Sequence, residues 1–178
     1  MATLHLLGTG AAVSEPHRTT TMLAVSDALS SILIDCGGDV LQRAAASGIR
    51  FDSIDALIIT HEHPDHVSGF PLFMEKIWLD GRRRPIDVYG IEPAIEQARK
   101  IFSAFNTSGW KDLPEIRWHE VPYGEDARVL ENESWTISAS PAKHAVPTIG
   151  LRIASHTSRG VVAYSCDTEP SDIITRLA

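Results

Sequence analysis

Between residues 57 and 70 the chain reads L-I-I-T-H-E-H-P-D-H-V-S-G-F, an apolar run followed by four groups that can bind a metal ion: His61, His63, Asp65 and His66. Alternate residues of an extended chain point to one side, so the first three can converge. The fourth joins them where the chain turns into a helix expected to begin near Val67. Imidazole and carboxylate groups together suit zinc and similar divalent ions. A chance histidine-rich loop explains four ligands at this spacing poorly, so the sequence predicts a metal site at the end of a buried strand.

The remaining chain alternates strand-like and helix-like segments. Predicted strands cover 3–7, 22–25, 31–35, 56–60 and 86–89, and later 116–121, 128–130, 135–140, 148–153 and 161–165. Helical patterns cover 40–46, 70–79, 93–105 and a last segment from 172 onward. Segments 22–25 and 31–35 resemble a hairpin. This mixture predicts one α/β domain over residues 1–178, with sheets inside and helices outside.

Composition narrows the class of protein further. The 178 residues are 43% hydrophobic and 22% charged, with a net charge of −7, so no general field attracts nucleic acid. No basic segment followed by an apolar one opens the chain, and no apolar stretch approaches the ~20 residues of a membrane span. We therefore expect a cytoplasmic protein. The two cysteines, Cys36 and Cys166, are interpreted as buried free thiols.

Two further segments can complete the metal site. His144 lies between two predicted strands, and Asp167 follows the strand-like run V-V-A-Y-S-C. Taken singly, the histidine is better explained by a structural role, and the aspartate is explained at least as well by a turn or a helix cap. The basic cluster Arg82, Arg83 and Arg84 is open to two interpretations, a solvated loop or a phosphate contact.

Five motifs together carry a family resemblance: L-L-G-T-G at 6–10, I-L-I-D-C-G-G at 32–38, T-H-E-H-P-D-H at 60–66, K-H-A-V-P-T-I-G at 143–150 and S-C-D-T at 165–168. The pattern resembles the metallo-β-lactamase superfamily, and within it the ribonuclease Z and phosphodiesterase-like branch. The resemblance implies an αβ/βα sandwich. It also implies one zinc ion at His61, His63 and His144, and a second at Asp65 and His66. Asp167 would bridge the two ions, and Asp35 would support the ligands from behind.

The chain departs from the ribonuclease Z pattern in three places. Pro64 stands where that pattern usually has glycine, and only 22 residues separate His144 from Asp167, too few for a tRNA-gripping arm. The last ligand histidine of the family is not found after Asp167. The final helix stops at Ala178 without a C-cap glycine, so we expect the domain to lack its C-terminal part and to have impaired activity.

A pair of divalent ions, zinc first and manganese as the alternative, would lower the pKa of a bridging water and give a hydroxide nucleophile. Asp65 is the predicted catalytic carboxylate that orients this water. The expected reaction is hydrolysis of a phosphodiester, in RNA or a small nucleotide, by a phosphodiesterase or endoribonuclease. Two alternatives stay open: hydrolysis of a thioester, lactone or β-lactam, and a catalytically silent metal-binding module. A homodimer is compatible with either kind of function.

Overall fold

The computed structural model describes residues 1–178 and contains two β-sheets with helices on their outer faces. The first sheet has six strands in chain order: β1 (Thr3–Gly8), β2 (Met22–Ser26), β3 (Ser31–Ile34), β4 (Ile54–Ile59), β5 (Ile86–Gly90) and β6 (Ile116–Glu120). The second sheet has the order β10 (Val161–Tyr164), β9 (Ile149–Ser155), β8 (Trp135–Pro141) and β7 (Ala127–Glu131). The helices are α1 (Val40–Ala46), α2 (Pro64–Val67), α3 (Phe70–Leu79), α4 (Glu92–Ser103) and α5 (Asp172–Leu177), with a 3₁₀ turn at Phe51–Ser53.

The first sheet changes from antiparallel to parallel along its width. Strands β1 to β3 pair antiparallel, which confirms the predicted hairpin, and β3 to β6 pair parallel. Strand β3 and most of β2 and β4 are buried, as expected where helices cover one face of a sheet and another sheet covers the other. Because parallel strands end at one edge, the chain segments that follow β3, β4, β5 and β6 lie side by side.

A single hydrophobic core of 38 buried residues fills the space between the layers. Helices α1, α3 and α4 contact the first sheet or one another, and α5 packs on β8 and β9 of the second. At Gly150 in β9, an added Cβ would lie 2.7 Å from Ile174 Cδ1, so the absent side chain lets α5 pack closely. The layers follow the order helix, sheet, sheet, helix, which confirms the predicted αβ/βα sandwich.

The largest difference from the predicted elements lies in the metal motif. Helix α2 begins at Pro64, three residues before the expected start at Val67, because proline is pre-organised for the first position of a helix. Asp65 and His66 therefore both lie on helix α2, and only His61 and His63 precede it in extended chain. No helix combines the length and apolar composition that crossing a membrane requires.

Candidate metal centre

Three histidines converge at the carboxyl edge of the sandwich. His61 and His63 follow β4, and His144 lies in the loop between β8 and β9. His63 Nδ1 lies 3.1 Å from His61 Nε2 and 3.1 Å from His144 Nε2. The three rings meet edge to face, with centroids 4.8 to 5.2 Å apart. This trio is called the histidine set below.

A second, mixed set adjoins the first. His66 Nε2 lies 3.6 Å from an Asp65 carboxylate oxygen and 3.7 Å from one of Asp167. Asp65 and His66 come from α2, whereas Asp167 follows β10 of the other sheet. This trio is called the carboxylate set. The two sets adjoin, because the ring centroids of His61 and His66 are 4.0 Å apart. The structure thus brings together all six sequence-predicted ligand residues.

The donor atoms fit a divalent cation in each set. Three imidazole nitrogens face one another, and such lone pairs repel unless a cation or a proton lies between them. Zinc bonds of 2.0–2.1 Å in a tetrahedron place neighbouring nitrogens about 3.3 Å apart, close to the 3.1 Å found in the histidine set. Separations in the carboxylate set are wider, so that set is the looser of the two.

Asp35 connects the two sets from behind. It follows β3 in a left-handed conformation, with φ 60°, and is fully buried. One carboxylate oxygen accepts from the Thr60 backbone N–H at 2.8 Å, and the other lies 2.8 Å from His66 Nδ1. A histidine that ligates a metal through one nitrogen usually donates from the other to such an acceptor. Asp35 thus contacts His66 on the ring nitrogen that faces away from the carboxylate set.

Thr60 extends this network to His61. Its hydroxyl lies 2.9 Å from an Asp35 oxygen, 3.1 Å from His61 Nδ1 and 3.1 Å from Cys166 Sγ. All three contacts are satisfied when the hydroxyl donates to Asp35 and accepts from the imidazole N–H and the thiol. In that arrangement the lone pair of His61 Nε2 points into the histidine set.

Burial and charge give the two central histidines opposite pKa shifts. Burial lowers the pKa of His61 to about 3, and neighbouring histidines act in the same direction. Burial would also lower the pKa of His66, but its hydrogen bond to Asp35 and the charges of three aspartates outweigh burial and raise it. His61 is therefore a neutral ligand at neutral pH.

The D-C-G-G segment at 35–38 fixes the position of helix α2. Cys36 N–H donates to the His66 carbonyl at 2.8 Å, and the Cys36 carbonyl accepts from Gly69 N–H at 2.7 Å. A Cβ at Gly37 would lie 1.6 Å from the Asp65 carbonyl oxygen. Only glycine at residue 37 allows the segment to approach the ligand helix this closely.

The structure does not bring the basic cluster to the metal centre. Arg82 donates to the carbonyls of Ile54, Arg84 and Pro85, and burial lowers its pKa to about 10. Ile54 begins β4, so the cluster lies at the opposite end of that six-residue strand from the ligands, about 20 Å away. The position of Arg82, Arg83 and Arg84 therefore lends no support to a phosphate contact at this site, which was one of the two interpretations of the cluster. Arg82 and Arg84 instead bind backbone carbonyls of the 52–55 segment, and Arg83 lies 4.0 Å from Asp112.

Sequence reasoning missed two residues of the network. Both cysteines are free and buried, as predicted, but Cys166 also forms a compact group with His61 and His66. Burial and the charge of Asp35 raise the pKa of this thiol, so it stays protonated and donates to Thr60. The only sign of their role in the sequence is that each stands directly before a candidate ligand: Thr60 precedes His61, and Cys166 precedes Asp167.

Comparison with known proteins agrees with this fold. A family model described as "Beta-lactamase superfamily domain" matches residues 30–178. The chain is 31% identical over 192 residues to ribonuclease Z of Mycobacterium bovis (strain BCG / Pasteur 1173P2), covering 100% of this chain and 67% of the relative. It is 36% identical over 156 residues to ribonuclease Z of Methanopyrus kandleri, covering 84% of this chain and 49% of that one.

Among solved structures, the short form of human tRNase Z superposes with a TM-score of 0.79 at 21% identity. The superposition covers 99% of this chain and 73% of the human one. The chain thus spans about two thirds of the length of the mycobacterial relative and about half of the archaeal one. The chain belongs to the metallo-β-lactamase superfamily and, within it, is ribonuclease Z-like, which confirms the family resemblance.

Proposed function

We propose that this chain carries the active site of a metal-dependent phosphodiesterase, an endoribonuclease of the ribonuclease Z type. The observation that carries the proposal is the contact between the two ligand sets at the rings of His61 and His66. One divalent ion would be held by the histidine set and a second by the carboxylate set. Zinc suits both sets, and manganese is the alternative for the second.

Ions bound at such a centre supply an activated water nucleophile and offset the charge on a phosphoryl oxygen. The protein's own groups position these parts. Asp65 on α2 is partly exposed beside the ligands, so we assign it to orient the attacking water and accept its proton. Asp35 and Thr60 contact the Nδ1 atoms of His66 and His61 and so hold their Nε2 atoms toward the two ligand sets.

The charge of the protein indicates that an anionic substrate would depend on bound metal ions for its recognition. The net charge is −7, and the basic cluster at 82–84 lies at the other end of the sheet. Bound ions would therefore be the main positive charge available to a phosphodiester. The names of the relatives, ribonuclease Z, support RNA as the substrate class.

Hydrolysis of bis(p-nitrophenyl) phosphate tests the proposal. The zinc- or manganese-loaded chain should hydrolyse this ester, and His63→Ala should abolish hydrolysis because His63 contacts both other members of the histidine set. His156→Ala is the matched control, since His156 is exposed and bonds Thr136 away from the ligands.

Hydrolysis of a lactone, thioester or β-lactam without phosphodiesterase activity would contradict the proposal and favour a carbonyl hydrolase. Tight metal binding with no hydrolysis of any of these esters would favour the silent metal-binding module.

A further inference from the structure

A cleft of about 480 Å³ opens beside the metal centre. The segments following β5 and β6, the first turn of α4 and the loop that bears His144 form its walls. Six of its lining residues are Glu92, Pro93, Glu120, Pro122, Tyr123 and Pro147. Its volume lies within the range of about 300–1,000 Å³ that is usual for small-molecule sites.

Strand pairing places this cleft next to the ligands. Ile59 of β4 pairs with Gly90 of β5, which pairs with Glu120 of β6. His61 lies two residues beyond Ile59, and neighbouring strands are about 4.8 Å apart, so the cleft begins one to two strand spacings from His61. Pro147 lies three residues after His144 in the same loop. A substrate whose phosphate occupies the metal centre can extend directly into the cleft.

The two carboxylates of the walls repel an anionic group and favour an uncharged ring with N–H groups. Glu92 and Glu120 are exposed and neither forms an ion pair, so both carboxylates are free to accept. Tyr123 is 52% exposed and offers an aromatic face of the kind on which unpaired bases stack. In the first turn of α4, only the backbone N–H groups of Glu92 and Ala94 lack a partner within the helix, since Pro93 has no N–H and Ile95 donates to Ile91. Three prolines restrict the backbone of the walls.

We propose that this cleft binds the nucleobase next to the scissile phosphodiester and prefers guanine to uracil. The proposal rests on the proposed phosphodiesterase function and deepens it to substrate specificity. Guanine carries an N–H and an amino group on one edge, which match the two oxygens of a carboxylate. The corresponding edge of uracil has one N–H between two carbonyl oxygens, and these oxygens are repelled by a carboxylate.

Equilibrium binding of nucleotides tests the cleft independently of catalysis. Guanosine 5′-monophosphate should bind the zinc-loaded chain about tenfold more tightly than uridine 5′-monophosphate, which is the lower part of the range for a bidentate carboxylate contact. In an NMR titration, the amide signals of Val121 and Tyr123 should shift with guanosine 5′-monophosphate.

Substitutions test whether Glu92 and Glu120 cause the preference for guanine. The double variant Glu92→Gln and Glu120→Gln should reduce the ratio of the two affinities to near one. Glu96→Gln is the matched control, because Glu96 is exposed on the same helix and does not line the cleft. Equal affinities for the two nucleotides, or a ratio that survives the double substitution, would overturn the proposal.

Hydrolysis separates the two proposals from each other. The p-nitrophenyl ester of guanosine 5′-monophosphate should have a kcat/KM about tenfold above that of the uridine ester. If neither nucleotide ester nor bis(p-nitrophenyl) phosphate is hydrolysed, the phosphodiesterase function is contradicted. The nucleotide affinities would then still decide whether the cleft recognises a base. Hydrolysis of all three without a difference between the nucleotide esters, together with equal nucleotide affinities, would overturn the cleft alone.

Discussion

At the scale of single residues, Thr60 joins both ligand sets through one hydroxyl group. Its contacts to Asp35, His61 and Cys166 lie between 2.9 and 3.1 Å. Removing this hydroxyl would leave the N–H of His61 and the thiol of Cys166 buried without their acceptor. The orientation of a ligand ring therefore depends on a residue that cannot itself reach the metal.

We expect Thr60→Val to weaken zinc binding about 10–100-fold, the usual cost of removing a partner that orients a metal ligand. Competition with a chromophoric chelator measures this affinity. Thr136→Val is the matched control, since the Thr136 hydroxyl bonds only the exposed His156. An unchanged zinc affinity in Thr60→Val would show that the hydroxyl does not orient His61.

Thiol reactivity gives a second prediction at this scale. Burial raises the pKa of both Cys36 and Cys166, and both side chains are less than 10% exposed. Because the thiolate is the reactive form, Ellman's reagent should label neither cysteine in the native protein and both after denaturation. Fast labelling of one thiol under native conditions would contradict the placement of that cysteine.

Four of the six candidate ligands could be proposed from the sequence, because T-H-E-H-P-D-H places them on a few consecutive residues, whereas His144 and Asp167 needed the family resemblance. Thr60 and Cys166 could not, because their contact joins two segments 106 residues apart in the chain. Three consecutive arginines left two interpretations of Arg82 open, a solvated loop or a phosphate contact, and neither anticipates a guanidinium bound to backbone. The structure uses that guanidinium to bind three carbonyls at the start of β4 and β5.

At the scale of elements, the four-residue helix α2 depends on its neighbours. A helix this short is unstable alone, since nucleation is costly and few hydrogen bonds form. Cys36 supplies two backbone hydrogen bonds, one to His66 near the C-terminal end of α2 and one to Gly69 just beyond it. Glycine at residue 37 makes this contact possible.

We expect Gly37→Ala to destabilise the protein by about 1–3 kcal/mol or more, the cost of inserting a methyl group into a packed region. The same change should displace Asp65 and so weaken the carboxylate set. Gly109→Ala is the control, because a Cβ there meets no atom within 4 Å. Urea unfolding and zinc content measure the two effects, and equal behaviour of both variants would contradict the account of α2.

Apart from the hairpin of β2 and β3, the order of the strands could not be predicted from the sequence. The hydrophobic pattern located the ends of each strand to within about two residues. It carries no information on which neighbour a strand pairs with, because the pattern is the same for every neighbour. The sandwich itself was predicted through the family resemblance. The cleft beside the centre was not predicted, since its walls come from separate segments of the chain near residues 92, 120 and 147.

At the scale of the whole molecule, protonation of His61 links the metal centre to global stability. Its pKa is about 3 in the folded chain and 6.5 as an isolated group. As the pH falls from 7 toward 3, the unfolded chain takes up a proton that the folded chain does not, so stability is lost. The pKa of His66 is raised instead, so the stability that protonated His66 contributes is lost as the pH rises through this raised pKa.

We therefore compare metal-free wild type with metal-free His61→Gln. Both proteins retain His66, so the difference between them reports on His61. The free energy of unfolding of wild type should fall more steeply between pH 7 and pH 5 than that of the variant. Urea unfolding at each pH gives this difference. Parallel curves for the two proteins would contradict a buried, neutral His61.

Zinc content per chain tests the central claim most directly. After gel filtration in zinc-containing buffer, which keeps the looser carboxylate set occupied, mass spectrometry of the metal should find two zinc ions per wild-type chain. His144→Ala removes one member of the histidine set and Asp167→Ala one member of the carboxylate set, so each variant should retain one ion. Wild type without zinc, or two ions retained in both variants, would contradict a two-metal centre built from these six residues.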